Sequence, residues 1–103
     1  MLFDQAYAEL ELIDRHLRVL KFVVERGPIG ILKLAEETGM QAHKVRYSLR
    51  ILEQNGLIKP SPQGAVAGDG FEEFVKTAKA EFKEIKRLTS LIEENGKQIV
   101  RKK

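Results

Sequence analysis

From Gln41 to Leu52 the sequence carries Lys44, Arg46 and Arg50, a histidine at 43, a tyrosine at 47 and no acid. On a helix, with about 100° between residues, Val45, Leu49 and Leu52 share an arc of about 60°. His43, Tyr47, Arg50 and Gln54 then lie opposite, with Lys44 and Arg46 on either side. That is chemistry suited to a polyanion. Arginine makes paired hydrogen bonds to guanine edges or phosphates, and glutamine pairs with adenine. Arg46 and Arg50 are candidate base or phosphate contacts, and Gln41 is a candidate contact to adenine or phosphate. Lys44 suits a backbone phosphate, and Tyr47 a sugar or a thymine methyl. His43 completes the face. The plainer alternative is an ordinary solvated helix surface, and the lack of acids over 41–52 argues against it.

Other chemistries find no residues. Without cysteine there is no disulfide, thiol nucleophile or thiolate metal site. His16 and His43 stand apart, with no partner at metal-ligand spacing, so His16 reads as a packing or surface residue. The glycines from Gly64 to Gly70 match neither a dinucleotide-binding nor a P-loop pattern. No serine stands beside a base. The expectation is a protein that is not an enzyme and that holds no metal or cofactor.

The elements that must position this face follow from periodicity and breakers. Ala6, Leu10, Ile13, Leu17, Leu20 and Val24 recur at alternating spacings of four and three, one face of a long first helix. Asp4 is its candidate N-cap and Gly27-Pro28 its end. Phe3, Tyr7, Leu12, Val19 and Phe22 form a second apolar set, so this helix wants two partners. Residues 31–38 predict a short helix with Ile31, Leu34 and Ala35 inward, stopped by Gly39. Residues 41–54 predict the next, ended by Asn55-Gly56. Leu57-Ile58-Lys59 reads as a strand, Ser61-Pro62-Gln63-Gly64 as a turn and Ala65-Val66-Ala67 as the return strand. Residues 71–94 predict a last helix, ended by Asn95-Gly96 and followed by a frayed basic tail. Phe71, Val75, Ala78, Phe82, Ile85 and Ile92 line one side of it, with Phe74 and Leu88 flanking. A small body cannot cover so long a stripe. Phe71, Val75, Phe82, Ile85, Leu88 and Ile92 are therefore the expected dimer interface, with Phe3, Tyr7 and Leu12 as further candidates.

The segment Ala35-Glu-Glu-Thr-Gly39-Met-Gln-Ala-His-Lys-Val45 has the requirements of a helix-turn-helix. A small residue sits at the crossing, a glycine at the tight turn and an apolar anchor on the second helix. The stretch from Lys44 to Ile58 resembles the recognition helix of winged-helix transcription regulators, which ends Leu-Glu-x-x-Gly-Leu-Ile and runs straight into the wing. Here those residues are Leu52-Glu53-Gln-Asn-Gly56-Leu57-Ile58. The likeness spans about residues 15–70, and the whole chain is similar to small archaeal predicted regulators in which a winged helix precedes a dimerising helix. The resemblance implies a mainly α fold with a small β-hairpin wing, a winged helix-turn-helix plus a long C-terminal helix. It also implies sequence-specific binding of double-stranded DNA by a homodimer. One departure is that Ser61 to Gly70, the expected wing, contains no Lys or Arg.

The domain expectation is a winged-helix domain over 1–70, a dimerisation helix over 71–95 and a flexible basic tail over 96–103. The 103 residues suffice for one modest core. The net charge of +3 is concentrated in 96–103, with a smaller surplus in 27–60. A near-neutral body argues against a chromatin protein that coats DNA regardless of sequence. It leaves open a winged helix serving as a protein-interaction module in a transcription or repair assembly. No apolar run approaches the ~20 residues needed to cross a bilayer. The first residues lack the basic stretch and apolar core of a signal peptide, and the expected location is the cytoplasm.

Overall fold

The computed structural model describes residues 1–103. Four helices and one hairpin follow in the order α1 (Asp4–Arg26), α2 (Ile31–Thr38), α3 (Ala42–Gln54), β1 (Ile58–Ser61), β2 (Gly64–Ala67) and α4 (Phe71–Arg101). This is the mainly α, winged helix-turn-helix architecture expected from the sequence. The chain divides into two compact units, Met1–Phe71 and Glu72–Lys103.

In the first unit, α1, α2, α3 and the hairpin enclose one core. Its fully or nearly fully buried apolar residues are Val19, Leu20 and Val23 from α1, Ile29, Leu34 from α2, Val45 and Leu52 from α3, and Ile58 from β1. The buried face of α1 differs from the long stripe expected. Leu20 is buried, but Leu10, Ile13 and Val24 remain 40–42% exposed, and the inward set is Val19, Leu20 and Val23. The cause is geometric. The short elements packed on α1 reach only its C-terminal half, and they select the arc that faces them there. The first half keeps Phe3 and Tyr7 exposed, their rings 6.3 Å apart. Asp4 is also corrected: Phe3 occupies the N-cap and offers no side-chain cap. Asp4 is the first helical residue, its carboxylate 2.8 Å from the Met1 amino group. An acid in the first turn still complements the positive end of the helix dipole.

The hairpin has the register Ile58↔Ala67, Lys59↔Val66, Pro60↔Ala65 and Ser61↔Gly64. Its strands extend to Ser61 and Gly64, closer to the tip than the sequence suggests, with Pro62 and Gln63 between them. Pro60 is tolerated in a strand because of where Ala65 directs its backbone. Ala65 N–H donates to Ile29 O at 2.8 Å and Ala65 O accepts from Ile29 N–H at 3.1 Å. Nothing is therefore required of the amide that proline lacks. Ile29, unassigned from the sequence, thus acts as a one-residue third strand. Gly64 makes this approach possible: its φ is +134°, and a Cβ there would fall 2.5 Å from the Ile29 carbonyl carbon.

The second unit is α4. It runs through Asn95-Gly96 to Arg101, beyond the end expected at Asn95, and so takes in most of the segment anticipated as a frayed tail. The Asn-Gly pair is not a sufficient stop, because no proline follows and the next residues favour helix. A glycine inside a helix costs only about 1 kcal/mol relative to alanine. Glu93 and Lys97 approach to 4.0 Å across the pair, and Gln98 donates to Glu94 at 3.4 Å. At 31 residues, α4 is about 46 Å long. No helix of the protein is long and apolar enough to cross a membrane.

Candidate nucleic-acid interface

The turn between α2 and α3 fixes the face. Thr38 closes α2, its hydroxyl donating to Leu34 O at 2.6 Å and accepting from Met40 N–H at 3.2 Å. Gly39 follows in the left-handed conformation, φ +72°, and its N–H donates to Ala35 O at 3.0 Å. This glycine cap reverses the chain within a few residues. Gln41 then occupies the N-cap of α3 in an extended conformation. Its carbonyl accepts from Lys44 and Val45 N–H at 3.0 and 3.1 Å, and its carboxamide takes no part in capping. Val45 and Leu52 anchor α3 in the core and Leu49 is half-buried.

Gln41, His43, Lys44, Arg46, Tyr47 and Arg50 lie on this face, and all six are exposed. They divide into two flanks and a ridge. Arg46 and Arg50, with Leu49 and Glu53, border an open groove of about 680 Å³ whose other wall is the hairpin from Ile58 to Ser61. Gln41 and Lys44 border a second, polar groove of about 380 Å³ against α1, shared with Arg15 and Arg18 and with Glu11 and Asp14. Asp14 and Arg18 pair at 3.3 Å. On the ridge, the Arg50 guanidinium lies over the Tyr47 ring, 5.5 Å from its centroid.

Three residues bearing on this face escaped the sequence reading. Ser48 is fully buried between Val45 and Leu52 and is the one buried polar side chain of the core. Its hydroxyl is hydrogen-bonded to His16 Nδ1 of α1 at 2.8 Å. His16 is therefore not simply a packing residue. Its ring also meets Tyr47, centroid to centroid at 5.8 Å. Partial burial, with a smaller effect from Arg15, holds the imidazole below its ordinary pKa. The available signal was position 48 itself, a hydroxyl three residues after Val45 and four before Leu52, hence on the apolar face. The third residue is Lys59, placed on the wing because β1 begins at Ile58. Its ammonium sits 3.2 Å from Asp69, both side chains exposed, so the wing's one cation is partly neutralised. Such pairs contribute little to stability.

Of the expected interface residues, Val75, Phe82, Ile85, Leu88 and Ile92 of α4 are 37–56% exposed. The Phe74 and Phe82 rings meet edge to face at 6.5 Å. Phe71 is half-buried at the end of the first unit. No group of His, Asp and Glu is placed to hold a metal ion.

A family model described as FaeA-like protein matches residues 15–68. The chain belongs to the FaeA-like family. FaeA-like proteins are regulators of the helix-turn-helix type. The matched segment runs from the middle of α1 through β2. It holds both grooves' cations and the His16–Ser48 contact, and it ends before α4. Among curated proteins no match is found.

Proposed function

We propose that this FaeA-like chain is a dimeric, sequence-specific double-stranded DNA-binding protein acting in transcriptional regulation, by binding and not by catalysis. The observation that carries the reading is the outward face of α3. Lys44, Arg46, Tyr47 and Arg50 stand exposed, beside His43, on a helix anchored by Val45 and Leu52, with no acid before Glu53. A helix of this kind enters a major groove with its side chains against base edges. Arg46 and Arg50 are the residues for bases or for the phosphates beside them, and Lys44 and Gln41 for the backbone on the α1 side. The exposed apolar stripe of α4 is the surface for a second subunit. Two recognition helices would then fall about one helical turn apart, roughly 34–36 Å.

A pool of random 30-mer duplexes, titrated at two salt concentrations with recovery and sequencing of bound molecules, tests this. The expected result is an enriched two-fold-symmetric sequence, bound more weakly as salt rises because phosphate contacts release counterions. Salt-sensitive binding without enrichment overturns specificity. Absence of binding at either salt overturns the reading in favour of a protein-interaction module, which the Lys59–Asp69 pair on the wing favours.

A further inference from the structure

Ser48 is the point at which α3 departs from a purely apolar attachment. Val45 and Leu52 hold the helix by contact area, which tolerates small slides and rotations because dispersion and burial have little directionality. A hydrogen bond does not tolerate them. Ser48 Oγ, fully buried, has His16 Nδ1 at 2.8 Å as its partner, across 32 residues of sequence. A rotation of α3 small enough to keep Ser48 in the core but large enough to carry its hydroxyl out of hydrogen-bond reach would leave it buried without that partner, a cost the fold avoids. The same imidazole continues outward. Its ring packs at 5.8 Å against Tyr47, the neighbour of Ser48, and the Tyr47 ring in turn supports the Arg50 guanidinium at 5.5 Å. One side chain of α1 therefore touches both the buried and the exposed side of α3.

We propose that His16 is a positioning residue for DNA recognition: its hydrogen bond to Ser48 sets the rotation of α3, and its ring, through Tyr47, sets where Arg50 is presented. This rests on the DNA-binding reading above and adds to it a residue outside the helix-turn-helix. His16 reaches the face by way of Ser48 and Tyr47. Its loss should therefore reduce discrimination between sequences more than it reduces general affinity for duplex. Phosphate contacts from Lys44 survive a small rotation, whereas a base contact from Arg50 does not.

The test uses the full chain and three variants, His16→Ala, His16→Phe and His16→Gln, each first checked for a cooperative thermal transition. Phenylalanine keeps a ring for Tyr47 and offers Ser48 nothing. Glutamine keeps a hydrogen-bonding group for Ser48. Affinities are measured for the duplex enriched from the random pool and for an unrelated duplex. In His16→Ala, affinity for the enriched duplex should fall about tenfold, the worth of one misplaced base contact, with the unrelated duplex little changed. His16→Gln should recover most of this loss and His16→Phe little of it. Equal discrimination in wild type and a folded His16→Ala overturns the proposal, and so does full recovery by His16→Phe. Should the wild type bind no duplex, amide hydrogen exchange decides the positioning separately. Faster exchange confined to Val45–Leu52 in His16→Ala, restored by His16→Gln, is expected, and exchange identical to wild type overturns it.

Discussion

α3 and α4 are both amphipathic, yet the chain treats their apolar faces in opposite ways. In the 13 residues of α3, Val45, Ser48 and Leu52 are fully or almost fully buried, and the remaining polar surface is cationic up to Glu53. In the 31 residues of α4, only Ala78 is buried, while Val75, Phe82, Leu88, Leu91 and Ile92 stay close to half exposed. The first helix spends its apolar residues on holding itself still, which is what a surface needs if its arginines are to meet fixed acceptors. The second leaves a stripe of apolar side chains along most of its length open to water. Exposed apolar patches of that extent mark association surfaces. On the proposed function, recognition and assembly fall to different helices, distinguished by how completely each is buried.

The largest expected effect comes from emptying the core that holds α3. Leu34→Ala removes a side chain with no solvent exposure and should cost about 2–5 kcal/mol in chemical denaturation. Ile92→Ala removes a similar volume from α4. At dilutions where the chain is monomeric it should change stability by less than about 0.5 kcal/mol, as for an exposed site. At higher concentration it should lower the melting temperature if α4 forms the proposed dimer, because association stabilises the folded chain by mass action. Equal, concentration-independent effects of the two substitutions would erase the contrast between the helices.

On the recognition side, Arg50→Ala and Arg46→Ala should each weaken binding to the enriched duplex by about 1–3 kcal/mol and relax the preference at one base position. Ile92→Ala should reduce affinity only through the dimer, and a higher protein concentration should restore it. Unchanged affinity in both arginine variants would mean that the face of α3 is misassigned.

The contrast between α3 and α4 was partly legible beforehand. The α2–α3 turn was readable because Gly39, Ala35 and Val45 are each demanded by local geometry. The boundaries of α2 and α3 were readable because glycine or asparagine-glycine ends them. The phase of α1 was not: Val23 is 1% exposed and Val24 42%, although both are valine and only their neighbours distinguish them. Ile29 was missed because a one-residue strand has no periodicity, and its partner Ala65 is far away in sequence. His16 was missed because its significance lies in Ser48, 32 residues on. The end of α4 was placed too early because Asn-Gly reads as a stop in isolation. Local rules located what local geometry determines, and the partially buried polar contact lay beyond them.

A smaller effect distinguishes two glycines that read alike. Gly39 has φ +72°, and a Cβ added there would meet nothing within 4 Å, so Gly39→Ala meets conformational strain alone. It should cost about 1–2 kcal/mol, the penalty for the left-handed region. Gly96 also has open space around it but lies inside α4. Gly96→Ala should stabilise α4 by up to about 1 kcal/mol, read as slower amide exchange near the helix end. A destabilising Gly96→Ala would mean that residue 96 marks a real break and that the helix stops where the sequence suggested.

The smallest effect is in acid, and it concerns His16, the α1 side chain that is hydrogen-bonded to α3. Partial burial and then Arg15 hold the His16 imidazole below its ordinary value of 6.5. Above that value the ring is neutral in both the folded and the unfolded chain and adds nothing to the pH dependence. As pH falls through it, the unfolded chain takes up the proton more readily than the folded one, so the contribution of His16 to stability declines. The decline ends once pH passes the lower, folded value. Its size is limited because the ring is only partly buried. His16→Gln cannot titrate, so the difference in stability between wild type and His16→Gln, followed by denaturation from pH 7.5 downward, isolates this contribution from the carboxylates. The wild type should lose ground to the variant below about pH 6.5. A difference independent of pH would show that the imidazole is no more shielded from water and no closer to the Arg15 charge in the fold than in the unfolded chain.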